Sequence, residues 1–260
     1  MGDVDTVGTL CRQWRQLRRR SQLDLSLDVG VSTRHLSFVE TGKSRPSREL
    51  ILALGRHLEV PMREQNRMLL AGGFAPEFTE TPLDAEAAEA ALAAIDRMLA
   101  AHEPFPGVAV DGDWNVVRAN GAALALVAGL PDHLVAPSIN IYRVSLHPDG
   151  LAGRSRNRHE WAPILVEQLR RSAGLTARPA LLELLDEVLG YPGVNELPVA
   201  PTSPNVLIPF VVDTGDGTEL SLFTTITTFG TPHDVTVGEL AIELFYPADE
   251  HTESALRARA

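Results

Sequence analysis

The stretch from residue 21 to 47, SQLDLSLDVGVSTRHLSFVETGKSRPS, is divided into short pieces by Ser, Gly and Pro residues. Ser21 and Ser32 each precede a run in which apolar residues recur three or four positions apart, the pattern of a capped amphipathic helix. Gly30 lies between the two runs, where a helix ends and the chain turns. The stretch therefore predicts two short helices joined by a tight turn.

Further short helices before and after this stretch complete a small all-helical unit. Leu10 and Leu17 lie on one helical face ahead of it, and Ser47 caps another helix behind it. Pro61 opens a fifth helix, because a proline costs little at the first helical position. Two helices joined by a glycine-containing turn inside such a unit form the helix-turn-helix pattern. We therefore predict five short helices in residues 1–75.

The charge of the chain is divided unevenly along its length. The 260 residues carry a formal net charge of −11, yet the first 75 hold 12 Lys and Arg against 8 Asp and Glu, a net of +4. The remainder has a net charge of −15. We call residues 1–75 the head and residues 76–260 the body. A basic head on an acidic body indicates that the head binds a polyanion. The single cysteine, Cys11, excludes an intrachain disulfide and fits a reducing compartment.

The second helix of a helix-turn-helix enters the DNA major groove. Over residues 33–40 the spacing turns Leu36 and Val39 toward the core, so the other side chains form an outer face. Arg34 is the best candidate base reader, because a guanidinium can bond guanine O6 and N7 together, and Phe38 could meet a thymine methyl group. The predicted DNA-binding residues are Gln22, Ser32, Thr33, Arg34, Ser37, Phe38, Thr41, Lys43 and Arg45. The alternative is a helical head that only packs on the body.

The same stretch resembles the helix-turn-helix of the XRE, or phage-repressor-like, family. The shared pattern is Ser-Gln, an apolar core, Gly-Val-Ser, Leu-Ser and then Glu-x-Gly-Lys. The resemblance implies that Glu40, just before the loop, pairs with Arg15 of the first helix. Ser26 departs from the family pattern, which usually has Ala at this tight contact between helices.

The body reads as a mixed α+β domain. Residues 76–81 are polar and contain Pro, which is typical of a linker. A strand, a tight turn at Asp111-Gly112 and a second strand are expected within 105–120, followed by helices and then by three C-terminal strands. The expected helices lie at 82–101, 119–128, 159–173 and 179–189, and the late strands at 206–213, 219–230 and 239–246. This order predicts an antiparallel sheet of about five strands with helices on one face.

The body resembles the PAS-like ligand-binding domain of MmyB-like transcription regulators. The resemblance is carried by PFPGVAVDGDWNVVRAN, NIYRVSLHPDGLAGR, HEWAPILVEQLRR and ELSLFTTITTFGTPHDVTVGELAIELFYPADEHTESALR. It implies a domain at 82–260 that binds a small molecule, with an acyl-chain compound as one possibility. Together with the helix-turn-helix at 1–75, it covers essentially the whole chain.

A ligand held between the sheet and its helices would contact mostly apolar side chains. The expected lining residues are Trp114, Val116, Leu124, Ile141, Trp161, Leu165, Phe223, Thr225 and Leu244. Such a lining favours a largely apolar ligand, for example a fatty acid. Arg143 or His147 could anchor a single carboxylate at the mouth. No metal and no other cofactor is expected, and the two Trp residues fit an ordinary core equally well.

The sequence contains no His-Glu-x-x-His, Gly-x-Ser-x-Gly or Walker pattern, so no catalytic residue is predicted. His147 and Asp149 lie in a Pro- and Gly-containing stretch that reads as a turn rather than an acid–base pair. We expect a one-component transcription regulator that binds double-stranded operator DNA and a small-molecule effector, as a homodimer and without a membrane. A cytoplasmic, nucleoid-associated location is expected. The alternative is a constitutive DNA-binding regulator whose PAS-like domain mediates protein interaction or dimerisation.

Overall fold

The computed structural model describes residues 6–197 and 207–259, which form two compact units. One unit is built mainly from residues up to Glu80 and the other mainly from Thr81 onward. The start of the strand predicted at 206–213 and the extreme ends of both predicted domains lie outside the described residues. No helix among the described residues is long and apolar enough to cross a membrane.

The first unit contains five helices, as predicted: α1 (Val7–Leu17), α2 (Gln22–Asp28), α3 (Thr33–Glu40), α4 (Arg48–His57) and α5 (Met62–Ala71). The first four begin at capping residues whose hydroxyl groups accept a backbone N–H three positions further on: Thr6, Ser21, Ser32 and Ser47. Pro61 immediately precedes α5, one position earlier than expected. The spacing of the caps thus sets the spacing of the helices.

A close backbone contact fixes α3 against α1. A Cβ atom at Gly8 would lie 2.3 Å from the carbonyl oxygen of Val39, so only glycine fits there without a backbone shift. Leu36 and Val39 are buried in the core shared by the five helices. Gly30 has a φ of 72° in the turn between α2 and α3, a conformation that favours glycine. The position of α3 is therefore determined by packing on its inner side.

The second unit contains a five-stranded antiparallel sheet in the order β2-β1-β5-β4-β3. Its strands are β1 (Gly107–Val110), β2 (Val116–Ala119), β3 (Phe210–Asp213), β4 (Glu219–Thr228) and β5 (Ala241–Pro247). The remaining helices are α6 (Glu89–His102), α7 (Gly121–Val127), α8 (Asp132–Val135), α9 (Ile141–Leu146), α10 (Arg158–Thr176), α11 (Pro179–Leu189), α12 (Val235–Glu239) and α13 (Glu250–Arg257). The predicted combination of a helical head and an α+β body is confirmed.

Helices cover both faces of the sheet, whereas one covered face was expected. On one face Ala109 and Ile242 are buried with Leu92, Ile95 and Leu99 of α6. The opposite face packs on other helices: Val108 and Val110 of β1 contact Ala123 of α7 and Ile141 of α9. The central strand β5 is therefore enclosed on both sides.

The connection between β1 and β2 is longer than the predicted two-residue turn. β1 ends at Val110 and β2 begins at Val116. Between them, the Asp111 carboxylate accepts backbone hydrogen bonds of 2.9 Å from both Asp113 and Asn115. Trp114 has a φ of 65°. The side chain of Asp111, rather than a primed Asp-Gly turn, organises this loop.

Candidate DNA-binding surface and ligand cavity

The outer surface of α3 and the loop after it place two cations close to one aromatic ring. The Arg34 guanidinium carbon lies 5.2 Å from the centroid of the Phe38 ring, and the Lys43 Nζ lies 5.8 Å from it. Arg34 and Lys43 are exposed, and Phe38 is half-buried. These distances are those of cation–π contacts. The predicted base reader, methyl contact and phosphate contact thus form one cluster.

The residues at the start of α3 are engaged within the head. The Ser32 hydroxyl accepts the backbone N–H of His35 at 3.1 Å, and the Thr33 hydroxyl lies 3.0 Å from that of Ser26. Ser26 is buried and donates to the carbonyl oxygen of Leu23 at 2.8 Å. Ser26 stands where the XRE family usually has Ala, and its hydroxyl therefore adds a hydrogen-bonded link between α2 and α3.

Gln22 is also tied to the head rather than standing free. Its Nε2 donates to Glu40 Oε2 at 2.7 Å, and the same carboxylate receives the guanidinium of Arg15. The Arg15–Glu40 pair, which the XRE resemblance implied, is therefore present. The contact of Gln22 with phosphate stays a prediction.

The remaining predicted contacts lie at the end of α3 and in the loop that follows it. The Thr41 hydroxyl donates to the carbonyl oxygen of Ser37 at 2.8 Å. Thr41 and Arg45 are exposed, and Ser37 is half-buried. Arg45, together with Arg34 and Lys43, gives this surface its positive charge.

The second unit contains a partly open cavity of about 200 Å³ between the sheet and helices α7, α9 and α10. The lining residues are Pro106, Val108, Val116, Ala119, Ala123, Leu124, Leu126, Val127, Ile139, Ile141, Ser145, Leu151, Trp161, Ile164, Leu165, Gln168, Ile208, Phe210, Leu222, Phe223, Thr224, Glu243 and Phe245. Most of these side chains are apolar, and none of those described is basic. This composition suits a largely apolar ligand.

Six of the predicted lining residues do lie at the cavity: Val116, Leu124, Ile141, Trp161, Leu165 and Phe223. Trp161 is held by a hydrogen bond of 2.9 Å from its indole Nε1 to the Ser155 hydroxyl, and its ring meets Phe210 edge-on. Their contact with a ligand stays a prediction.

Three of the predicted lining residues, Leu244, Thr225 and Trp114, do not line this cavity. Leu244 packs with the α6 side of the sheet, and Thr225, its partner in the β4–β5 register, is exposed. Leu244 lies between Glu243 and Phe245, which both line the cavity, and neighbouring residues on a strand face opposite sides. Trp114 meets the Tyr142 ring edge-on, with centroids 5.2 Å apart, and does not line the cavity.

Arg143 and His147, the predicted carboxylate anchors, also lie outside the cavity. Arg143 donates two-pronged hydrogen bonds of 2.7 to 3.0 Å to Glu187, and this interaction lowers the pKa of that carboxyl. The His147 ring meets Tyr191 edge-on at 4.8 Å. A guanidinium already paired in this way is poorly placed to receive a ligand carboxylate.

Three potential metal ligands, one of which is His147, lie near one another. Ligand atoms of His133, His147 and Asp149 lie within 4.8 Å of one another. His147 Nδ1, however, already accepts the backbone N–H of Asp149 at 3.0 Å, which is typical of a local turn.

Glu243 is the one acidic side chain among the described cavity residues, and sequence reasoning missed it. It is 8% exposed, and its Oε2 has no hydrogen-bond partner among the described residues. Burial raises the pKa of this carboxyl to about 7, although a hydrogen bond with Thr224 acts in the opposite direction. The signal in the sequence was the apolar run AIELFY with one acidic residue inside it. A nearly continuous apolar run is typical of a strand buried on both faces, so a charged residue within it is placed in the interior.

The fold and these two sites define a helix-turn-helix protein with a separate ligand-binding domain. Residues 91–258 match the family model described as MmyB-like transcription regulator ligand binding domain. Residues 12–65 match a helix-turn-helix model. The chain belongs to the MmyB-like transcription regulators, a family of DNA-binding regulators rather than enzymes.

No curated protein matched the chain. One solved structure that it resembles is described as "Structure of an RNA-binding Light-Oxygen-Voltage Receptor", with 15% sequence identity and a TM-score of 0.27. The match covers 96% of this chain and 60% of that chain, so the present chain spans less than two thirds of its length.

Proposed function

We propose that the protein is a one-component regulator in which a small, largely apolar ligand changes the affinity of the helix-turn-helix for operator DNA. The observation that carries this proposal is the apolar cavity between the sheet and α7, α9 and α10. Membership of a family with a ligand-binding domain supports the same assignment.

The DNA half of the proposal rests on the outer surface of α3. Arg34 reads a guanine in the major groove, and Phe38 contacts a neighbouring thymine methyl group. Lys43, Arg45 and Thr41 contact phosphates and set the register of the head. The exposure of Arg34 and Lys43, and the net charge of +4 over residues 1–75, support these roles.

The ligand half proposes an alkyl or fatty-acyl compound of medium length. Apolar side chains such as Leu165 and Phe245 surround most of the cavity, so burial of a hydrocarbon chain supplies most of the affinity. Ser145, Gln168, Thr224 and Glu243 are the polar side chains available to orient its head group. The protein carries out no reaction on this ligand.

The proposed assembly is a cytoplasmic homodimer bound to an inverted repeat. One head reads only a few base pairs, and two heads about 34 Å apart on the duplex supply the required specificity. The second candidate function is constitutive DNA binding with the PAS-like domain as an interaction module. It predicts the same operator but no effect of a ligand.

Two measurements test the proposal. Mass spectrometry of the purified protein, extracted under denaturing conditions, identifies any co-purified small molecule. Operator affinity is then measured with and without that molecule, or with decanol if none is released. Ala123→Leu fills part of the cavity, whereas Ala125→Leu adds the same volume at an exposed position of the same helix.

We expect the ligand to change operator affinity in the wild type and in the Ala125→Leu variant but not in the Ala123→Leu variant. Equal operator affinity with and without ligand would favour the constitutive alternative.

A further inference from the structure

We propose that Glu243 anchors the polar end of the ligand, so that the ligand is an apolar compound with a hydrogen-bond-donating head group, best an amine, rather than a free carboxylate. This inference rests on the proposed ligand cavity and adds the chemistry of its head group. It is carried by a buried acceptor that has no partner.

The unpartnered atom lies in the cavity wall. Glu243 is on β5, the central strand, on the same face as Phe245, and both residues line the cavity. Its side chain is hydrogen-bonded by Thr224, while its Oε2 has no partner among the described residues. A buried carboxylate oxygen without a donor is costly, and a donor from the ligand removes that cost.

The described residues that line the cavity around Glu243 include no compensating cation. Its neighbours across the sheet are Val108 on β1 and Ile226 on β4, and the described cavity residues include no Lys, Arg or His. One titratable group that interacts with it is Tyr142 of α9, whose buried hydroxyl also has no hydrogen-bond partner among the described residues. Burial, with a smaller contribution from the charge of Glu243, raises the pKa of that tyrosine.

The chemistry of the head group follows from these charges. A ligand carboxylate would place a second negative charge beside Glu243 in an apolar cavity, where like charges repel strongly. An ammonium group would complete a buried ion pair, and a hydroxyl or amide N–H would supply a single neutral donor. The expected order of affinity is therefore amine, then alcohol, then carboxylate.

The test uses the full chain and three probes with the same alkyl chain: decylamine, decanol and decanoate. Dissociation constants are measured at pH 8, below the aggregation concentration of each probe, for the wild type, Glu243→Gln and Glu183→Gln. Glu183 is an exposed glutamate on α11 and controls for non-specific attraction of the amine to an acidic protein. Circular dichroism confirms that each variant is folded.

We expect decylamine to bind the wild type most tightly and Glu243→Gln to weaken it by about tenfold or more, the size of a lost hydrogen bond to a charged group. Glu183→Gln should leave the order of the probes unchanged. Decanoate binding as tightly as decylamine, or an unchanged order in Glu243→Gln, would overturn the role of Glu243 while leaving the apolar cavity in place. Failure of all three probes to bind would instead overturn the proposed ligand cavity itself.

Discussion

Arg15 and Glu40 share two parallel hydrogen bonds, with Nε 2.7 Å from Oε1 and Nη2 2.9 Å from Oε2. The pair joins α1 to the last residue of α3, and the Glu40 side chain is only 1% exposed. Arg15 also donates to the carbonyl oxygen of Arg20 at 2.9 Å. One guanidinium therefore connects the first helix, the loop that follows it and the proposed recognition helix.

Replacing Arg15 by Ala should destabilise the protein by about 3 kcal/mol, because it leaves Glu40 buried without its counter-charge. Arg15→Lys should recover only part of the loss, since an ammonium cannot form the two-pronged arrangement. Urea unfolding followed by circular dichroism measures both. Arg12→Ala, an exposed change on the same helix, is the control. A loss no larger than that of the control would show that the pair contributes little.

Arg34→Ala should weaken binding to the cognate operator by about 1–3 kcal/mol and relax the preference at one base pair. Lys43→Ala should weaken specific and random DNA about equally and lower the slope of log K against log salt by about one. Fluorescence anisotropy over a salt series distinguishes the two. An equal loss on specific and random DNA for Arg34→Ala would remove it from base readout.

Glu243 makes the stability of the ligand-free protein depend on pH. Burial raises the pKa of its carboxyl from 4.5 to about 7, so between these values the folded state holds a proton that the unfolded state releases. The stabilising contribution of that proton is present below about pH 4.5 and is lost as pH rises through about 7. Glu243→Gln should remove this loss.

Glu243→Gln should therefore raise the free energy of unfolding relative to the wild type, and this increase should be up to about 3 kcal/mol larger at pH 8 than at pH 4.5. Unfolding free energies of both proteins at the two pH values measure the difference. Glu183→Gln is again the exposed control. A gain that does not depend on pH would mean that the carboxyl titrates normally in the folded state.

The protein should be a dimer in light scattering at micromolar concentration and should protect two half-sites about 34 Å apart in a footprint. The proposed contact involves the body or the helix predicted at 82–101, of which residues 89–102 form α6. A monomer that binds one half-site with one-to-one stoichiometry would contradict this.

Cys11 should be inert in the folded protein. Burial, with a smaller contribution from Glu40, raises the pKa of its thiol to about 12, so almost no thiolate is present at pH 8. A colorimetric thiol reagent should therefore titrate one thiol per chain in denaturant and almost none in native buffer. Rapid reaction under native conditions would indicate that the head opens readily.

The helix-turn-helix was predictable because its signals are local. Ser21, Ser32 and Ser47 cap helices within a few residues, and Gly30 supplies the turn that separates two of them. Such signals do not depend on what packs against the helices. The pairing of Arg15 with Glu40 followed from a family pattern rather than from any spacing.

The cavity was only partly predictable because it depends on which face of the sheet each residue occupies. Alternation in β5 places Ile242 and Leu244 on one side, and only the near-continuous apolar run around Glu243 indicated that the side of Glu243 is also covered. Because one covered face was assumed, Thr225 was predicted to line the cavity and Glu243 was not. The hairpin-like sequence at Asp111-Gly112 also led to a wrong prediction, because the Asp111 side chain organises a longer loop.

The ring of Phe38 has a consequence for the energetics of DNA binding. By holding Arg34 and Lys43 within 5.8 Å of its centroid, it limits the rotamers of two long side chains before any DNA is present. Such side chains usually lose about 0.5–1.5 kcal/mol of conformational freedom each when they are immobilised at an interface. Here part of that ordering belongs to the free protein, so recognition begins from a preorganised surface.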